Sequence, residues 1–393
     1  MIFDYEAWKT RHVECVEKIS RLCDLDESKD FVKCNSALCV MNYAMQDIYS
    51  YFERSNESFA ELCFLIRNID VIITGILDIN NIIFGIGLNK QEKAIERCFT
   101  DKSSVCKFRT LRSQILAHPV DTHYIDKDGE LEIIYLEDVQ PYNPNIDGFI
   151  IEKKCDYVKR MCKPISNTSY FEPLTLDEDI IPVINTVIKS LKLLSDSVEH
   201  LIKQTEGKMS LIPLEISRNS MQDYIISLDR ELEKRYPAAV ENIVFDDGSE
   251  ERYSIVFECI DYFNASFTNE TQEKYCVFLE YINSELNKIE TDLQNMRFDE
   301  DKYFLLLYNP DFASSLSYEK QKMEYLRRSK DTTYTEEYIG NDTPSNSLWG
   351  IKCFRDLMPY INEYIPVDVN VSDKELYCQY VAAEYLSNVK IQK

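Results

Sequence analysis

Over residues 4–24, apolar side chains recur at spacings of three and four, so that Trp8, Cys15, Val16, Ile19 and Leu22 fall on one face, with His12 among them. That period predicts an amphipathic helix. The same pattern returns over 30–54, 58–83, 89–99 and 103–117. Five helices within about 115 residues describe a helical bundle.

The pattern then changes. Asp128-Gly129 marks a turn, and Leu131, Ile133, Ile134 and Tyr135 have strand composition. So do Phe149, Ile150 and Ile151, beyond Pro141, Pro144 and Asp147-Gly148. Residues 131–156 are therefore predicted to form a β-hairpin attached to the bundle, and a lone hairpin needs a helix to pack on. Helical period resumes over 176–204, where Ile180, Ile184, Val187, Leu191, Leu194, Val198 and Leu201 line one stripe. Residues 207–213 are the best candidate boundary. Beyond them, helical segments are expected near 218–235, 250–264, 272–296, 299–308, 314–329, 351–364 and 372–388. The expectation is a mainly α protein: a helical bundle with a small β-hairpin insertion over 1–206, followed by a second helical domain over 214–393. The 9 glycines and 12 prolines in 393 residues agree, because sheets and barrels need many tight turns.

Charge narrows the choice of partners. The chain carries 68 acidic and 44 basic side chains, a formal net charge of −24. Such a surface repels nucleic acid and anionic membranes at long range, so any RNA contact must be local. Two basic segments stand out, Lys153, Lys154, Lys159, Arg160 and Lys163, and Lys320, Lys322, Arg327, Arg328 and Lys330. Solvated faces with interspersed bases are the simpler explanation of both.

Thirteen cysteines invite a metal or disulfide reading, but no Cys-x-x-Cys pair occurs and only four histidines are present. Structural zinc needs closely spaced thiolates and imidazoles. Cys15, Cys23, Cys39 and Cys63 sit in helical patterns, where a reduced thiol serves as a small apolar group. The first residues are charged and lack the apolar run of a signal peptide. The most apolar stretch, 61–90, is interrupted by Arg67, Asp70 and Asp78 and reads as a core helix rather than a span. A cytoplasmic protein that does not engage a membrane is expected. Phosphate-binding glycine loops, the serine nucleophile elbow and His-Glu-x-x-His are absent, and no cofactor is expected.

One stretch carries candidate chemistry, residues 108–123. Phe108, Leu111 and Ile115 face the core, and Arg109, Arg112, Gln114 and His118 lie off that stripe. An imidazole moves protons near neutrality, and a guanidinium clamps phosphate and stabilises charge that develops on it. Arg112-Ser-Gln-Ile-Leu-Ala-His118 resembles the Arg-x4–6-His motif of the HEPN superfamily, whose members are helical bundles and include ribonucleases. The resemblance covers roughly the first 125 residues, or 205 if the helix after the hairpin completes the bundle.

The resemblance implies metal-independent RNA cleavage of a toxin or defence kind by a homodimer. Arg112 would bind the scissile phosphate, and His118 would act as general acid or base. Arg109, Gln114, Lys153, Lys154, Lys159 and Arg160 would be the candidate RNA contacts around them. A regulatory protein partner is a further expectation for such a system. On an ideal helix Arg112 and His118 stand about 120° apart, so the arrangement suits a site completed by a second copy. The residues themselves leave other readings open. Arg112 can pair with one of the many acids while His118 ends a helix, or the bundle can bind a protein or nucleotide without catalysis.

Overall fold

The structure is a computed structural model that describes residues 3–26, 28–54, 58–86, 91–117, 122–125, 131–151, 155–163, 168–244, 250–327 and 344–391. The chain divides into two compact units, Met1–Thr205 and Glu206–Lys393. The protein is mainly α, as its hydrophobic period predicts.

The first unit opens with α1 (Tyr5–Leu25), α2 (Phe31–Glu53) and α3 (Phe59–Phe84). Each begins at a side chain that satisfies an orphan amide: Asp4, Asp30 and Ser58 accept from the third residue onward. Ser58 and Glu61 form a reciprocal capping box, and Gly85 ends α3 in the left-handed conformation at φ 65°. Two shorter helices follow, α4 (Gln91–Cys98) and α5 (Lys102–Arg112). The long α6 (Ile181–Met209) closes the unit, and the division between units falls in its last turn. Trp8, Leu38, Met41, Ile48, Ile72, Phe108, Val187 and Leu191 are among the fully buried residues of the shared core.

Between α5 and α6 lies more sheet than a hairpin. Strands β1 (Thr122–Ile125), β2 (Leu131–Pro141), β3 (Tyr157–Lys163) and β4 (Thr168–Leu174) form a four-stranded antiparallel meander in that order. No strand forms from Phe149 to Ile151, where a 3-10 turn over Asp147–Phe149 curls the chain, and β2 pairs with β3, Val139 facing Lys159. Asp147 decides this. Its buried carboxylate accepts the Asn143 amide at 2.7 Å while its carbonyl accepts from Ile150 and Ile151, which curls the chain before it can extend. The Tyr51 hydroxyl of α2 meets the Tyr157 hydroxyl of β3 at 2.9 Å and anchors the sheet to the helices.

The second unit contains α7 (Met221–Arg235), a hairpin of β5 (Glu241–Val244) and β6 (Glu250–Tyr253), α8 (Cys259–Asn264), α9 (Asn269–Gln294), α10 (Ser317–Gln321), α11 (Glu324–Arg327), α12 (Pro344–Ile361) and α13 (Asp373–Ile391). The helix expected over 250–264 thus begins as strand over Glu250–Tyr253 and is helical only over Cys259–Asn264. Buried Asp229 of α7 takes hydrogen bonds from Arg252 and from the Ser254 hydroxyl, which holds this stretch extended. Residues 299–308 form two 3-10 turns because Phe304 between them adopts φ 56°. Among the described residues no helix is long and apolar enough to cross a membrane.

Candidate functional site

The candidate motif begins at α5. Asp101 caps it by accepting the Ser104 amide at 3.1 Å, and Val105, Phe108 and Leu111 bury one face. Arg109 and Arg112 occupy its last turn, where the helix dipole favours cations. Immediately after Arg112 the helix widens: Ser113–Ala117 is a π-helical turn, and the Ser113 amide is shared between the carbonyls of Arg109 and Thr110. Ile115 stays buried against the core. Isolated π turns within helices are frequent at functional positions because they re-aim the side chains that follow. This one packs near α3 and β2.

Arg112 is a partly exposed guanidinium held from behind. Its Nε donates to Oδ2 of Asp70 on α3 at 3.0 Å, with side-chain exposures of 37 % and 22 %. Sequence reasoning missed Asp70 as a site residue, although a carboxylate within the most apolar stretch of the chain signals a buried or half-buried partner. Two residues earlier on α3, Asn68 donates to Asp47 of α2 at 3.5 Å, a separate polar pair.

The other expected residues separate into three groups. Arg109 and Gln114 are half-buried on α5 and the π turn, on the same element as Arg112. His118, Lys153 and Lys154 lie outside the described residues. Lys159 and Arg160 are on β3 and are engaged by acids. Lys159 is buried and meets Glu172 of β4 at 2.8 Å, while Arg160 Nε meets Glu137 of β2 at 2.8 Å. His123 sits on β1 opposite Ile133.

No family model matches the chain, and no curated protein or solved structure matches it either. All thirteen cysteines are free thiols, and burial pushes several of them up, Cys15 to about 12 and Cys34 to about 11, so they are protonated and unreactive at neutrality. Among the described residues no three or more His, Cys, Asp or Glu side chains are grouped to hold a metal ion.

Proposed function

We propose that the protein is a HEPN-like endoribonuclease that cleaves RNA at the C-terminal end of α5 without a metal, acting as a homodimer in the cytoplasm. One observation carries this reading: Arg112 presents a partly exposed guanidinium, fixed by Asp70, at the start of the π turn that leads to His118. A guanidinium whose Nε edge is held by a carboxylate is restricted in orientation, which is what phosphate recognition requires. Arg112 neutralises the phosphate oxygens as charge builds on them. His118 takes the proton from the attacking hydroxyl or gives one to the leaving oxygen. Arg109 and Gln114 lie beside this path.

Lys159 and Arg160 play no part in the proposal, because each is occupied by a carboxylate within the sheet. Those same pairs, with the net charge of −24, favour a second reading: a non-catalytic helical module that binds a protein or nucleotide partner.

The two readings separate on mixed RNA incubated with purified protein in EDTA, beside His118→Ala and Arg112→Ala variants matched for folding. Cleavage by the parent protein and its loss in both variants is the expected result. Absence of cleavage by all three, at matched oligomeric state, transfers the weight to the binding module.

A further inference from the structure

The basic segment at 320–330 is not a uniform cationic run in the folded chain. Lys320 turns inward, where it meets Glu384 at 2.9 Å and donates to the carbonyls of Asn309 and Phe312. Arg327 pairs with Glu258 at 2.8 Å and lies over the Tyr253 ring. Lys322 forms no carboxylate pair among the described residues and donates to the Tyr325 hydroxyl at 3.2 Å. Its ammonium stands 5.3 Å from the Tyr318 ring centre and 4.9 Å from that of Tyr325. On α12, the Lys352 ammonium lies 4.6 Å from the Trp349 ring centre. Tyr318 and Trp349 meet edge to face with centroids 6.5 Å apart, so the two groups form one patch. Tyr318 is 51 % exposed and Trp349 38 %, with Leu348 beside it at 67 %.

The patch depends on a close helix approach. A Cβ on Gly350 would lie 3.0 Å from Leu326 and 3.3 Å from the Cβ of Tyr325, so glycine lets α12 rest directly on α11 and brings Trp349 to the tyrosines.

We propose that this surface of the second unit, Tyr318, Lys322, Tyr325, Trp349 and Lys352, binds single-stranded RNA by stacking bases on its rings and meeting phosphates with its two ammoniums. Alternating aromatic planes and cations match a ligand that alternates planar bases with anionic linkers. An apolar peptide helix is a poorer occupant, because covering these rings would strip water from both ammoniums without pairing them. A bilayer would confront the whole acidic surface, whereas one strand need touch only this patch. Glu319, Glu324 and Asp356 stand on or beside the same elements, and so does Arg355, which with Lys322 and Lys352 balances them. The local field is therefore close to neutral, and stacking contributes more than charge. The proposal does not depend on cleavage at α5; it assigns RNA capture to a unit whose role the motif leaves open.

Of the two tryptophans, Trp8 is fully buried, so Trp349 reports the patch in the full chain. The probe is a short 2′-O-methyl oligouridine, which lacks the hydroxyl that cleavage needs. Saturable quenching of Trp349 emission is expected, and it disappears in Trp349→Phe. By anisotropy of the labelled probe, Trp349→Ala weakens binding roughly fivefold or more. Trp349→Tyr retains binding, which separates stacking from a folding defect. The proposal is overturned by absence of quenching, by unchanged affinity in Trp349→Ala, or by equal binding of dextran sulfate, a polyanion without bases.

Discussion

Asp70 and Arg112 are 42 positions apart and meet through a single Nε–Oδ2 contact of 3.0 Å. A carboxylate here both satisfies the guanidinium and restricts its rotation. Replacing Asp70 with Asn keeps the shape but loses the charge-assisted bond. If Arg112 clamps the scissile phosphate, Asp70→Asn lowers the cleavage rate by up to about a hundredfold while Arg112→Ala abolishes it. Steady-state kinetics on both variants check this ordering; equal activity of Asp70→Asn and the parent would remove Asp70 from the site. The ends of α3 permit a cleaner stability test. Ser58→Ala removes one half of the capping box and is expected to cost about 1 kcal/mol. Gly85→Ala forces a Cβ into φ 65° at a cost of about 1 kcal/mol. Urea denaturation of each variant measures both, and neither should alter the slope with denaturant.

At the scale of elements, hydrophobic period identified helices well where one face is buried along the whole length. α1, α2, α3 and α6 are of this kind, with their buried positions three and four apart. It failed where a distant side chain overrides local preference. Residues 250–254 are expected to be helical but are held by Asp229, whose carboxylate is engaged by Arg252 and Ser254. Asp229→Ala leaves those two groups without their buried acceptor and is expected to destabilise the second unit by roughly 3 kcal/mol. The denaturant midpoint reads this directly, and a change within experimental error would mean that Glu233, 3.0 Å from Arg252, suffices alone. The candidate boundary at 207–213 lies just beyond the division at Thr205/Glu206 and is held within the second unit. Gln294 of α9 donates to the carbonyls of Ser210 and Ile212 and accepts the Leu214 amide, and Arg235 of α7 donates to Ile212. None of these partners is close in sequence.

At the scale of the whole first unit, closure of α1 on α6 is marked by Lys18, which meets Glu199 at 2.8 Å and Ser195 at 3.0 Å. Hydrogen bonds from Lys18 and Lys203 hold the Glu199 carboxyl down at about 2, against an ordinary 4.5. A carboxyl depressed in the folded state contributes stability that is present above its unfolded value and lost as pH falls through the folded one. The parent protein should therefore lose, between about pH 4.5 and 2, a component of stability that Glu199→Gln never has. Urea midpoints across that window check it, and parallel curves for the two proteins would show that the pair contributes nothing. What the sequence by itself determined is the mainly α class, the run of long amphipathic helices and the position of Arg112 on the off-core side of α5. These follow from local spacing, because burying one helical stripe needs no knowledge of what covers it. Only the tertiary structure decided that the excursion after α5 is a four-stranded meander, that Lys159 and Arg160 are taken by Glu172 and Glu137, and that Asp70 stands behind Arg112. Strand pairing and ion pairing join residues tens of positions apart, and the choice among many acids for each base is made by packing geometry, which hydrophobic period does not encode.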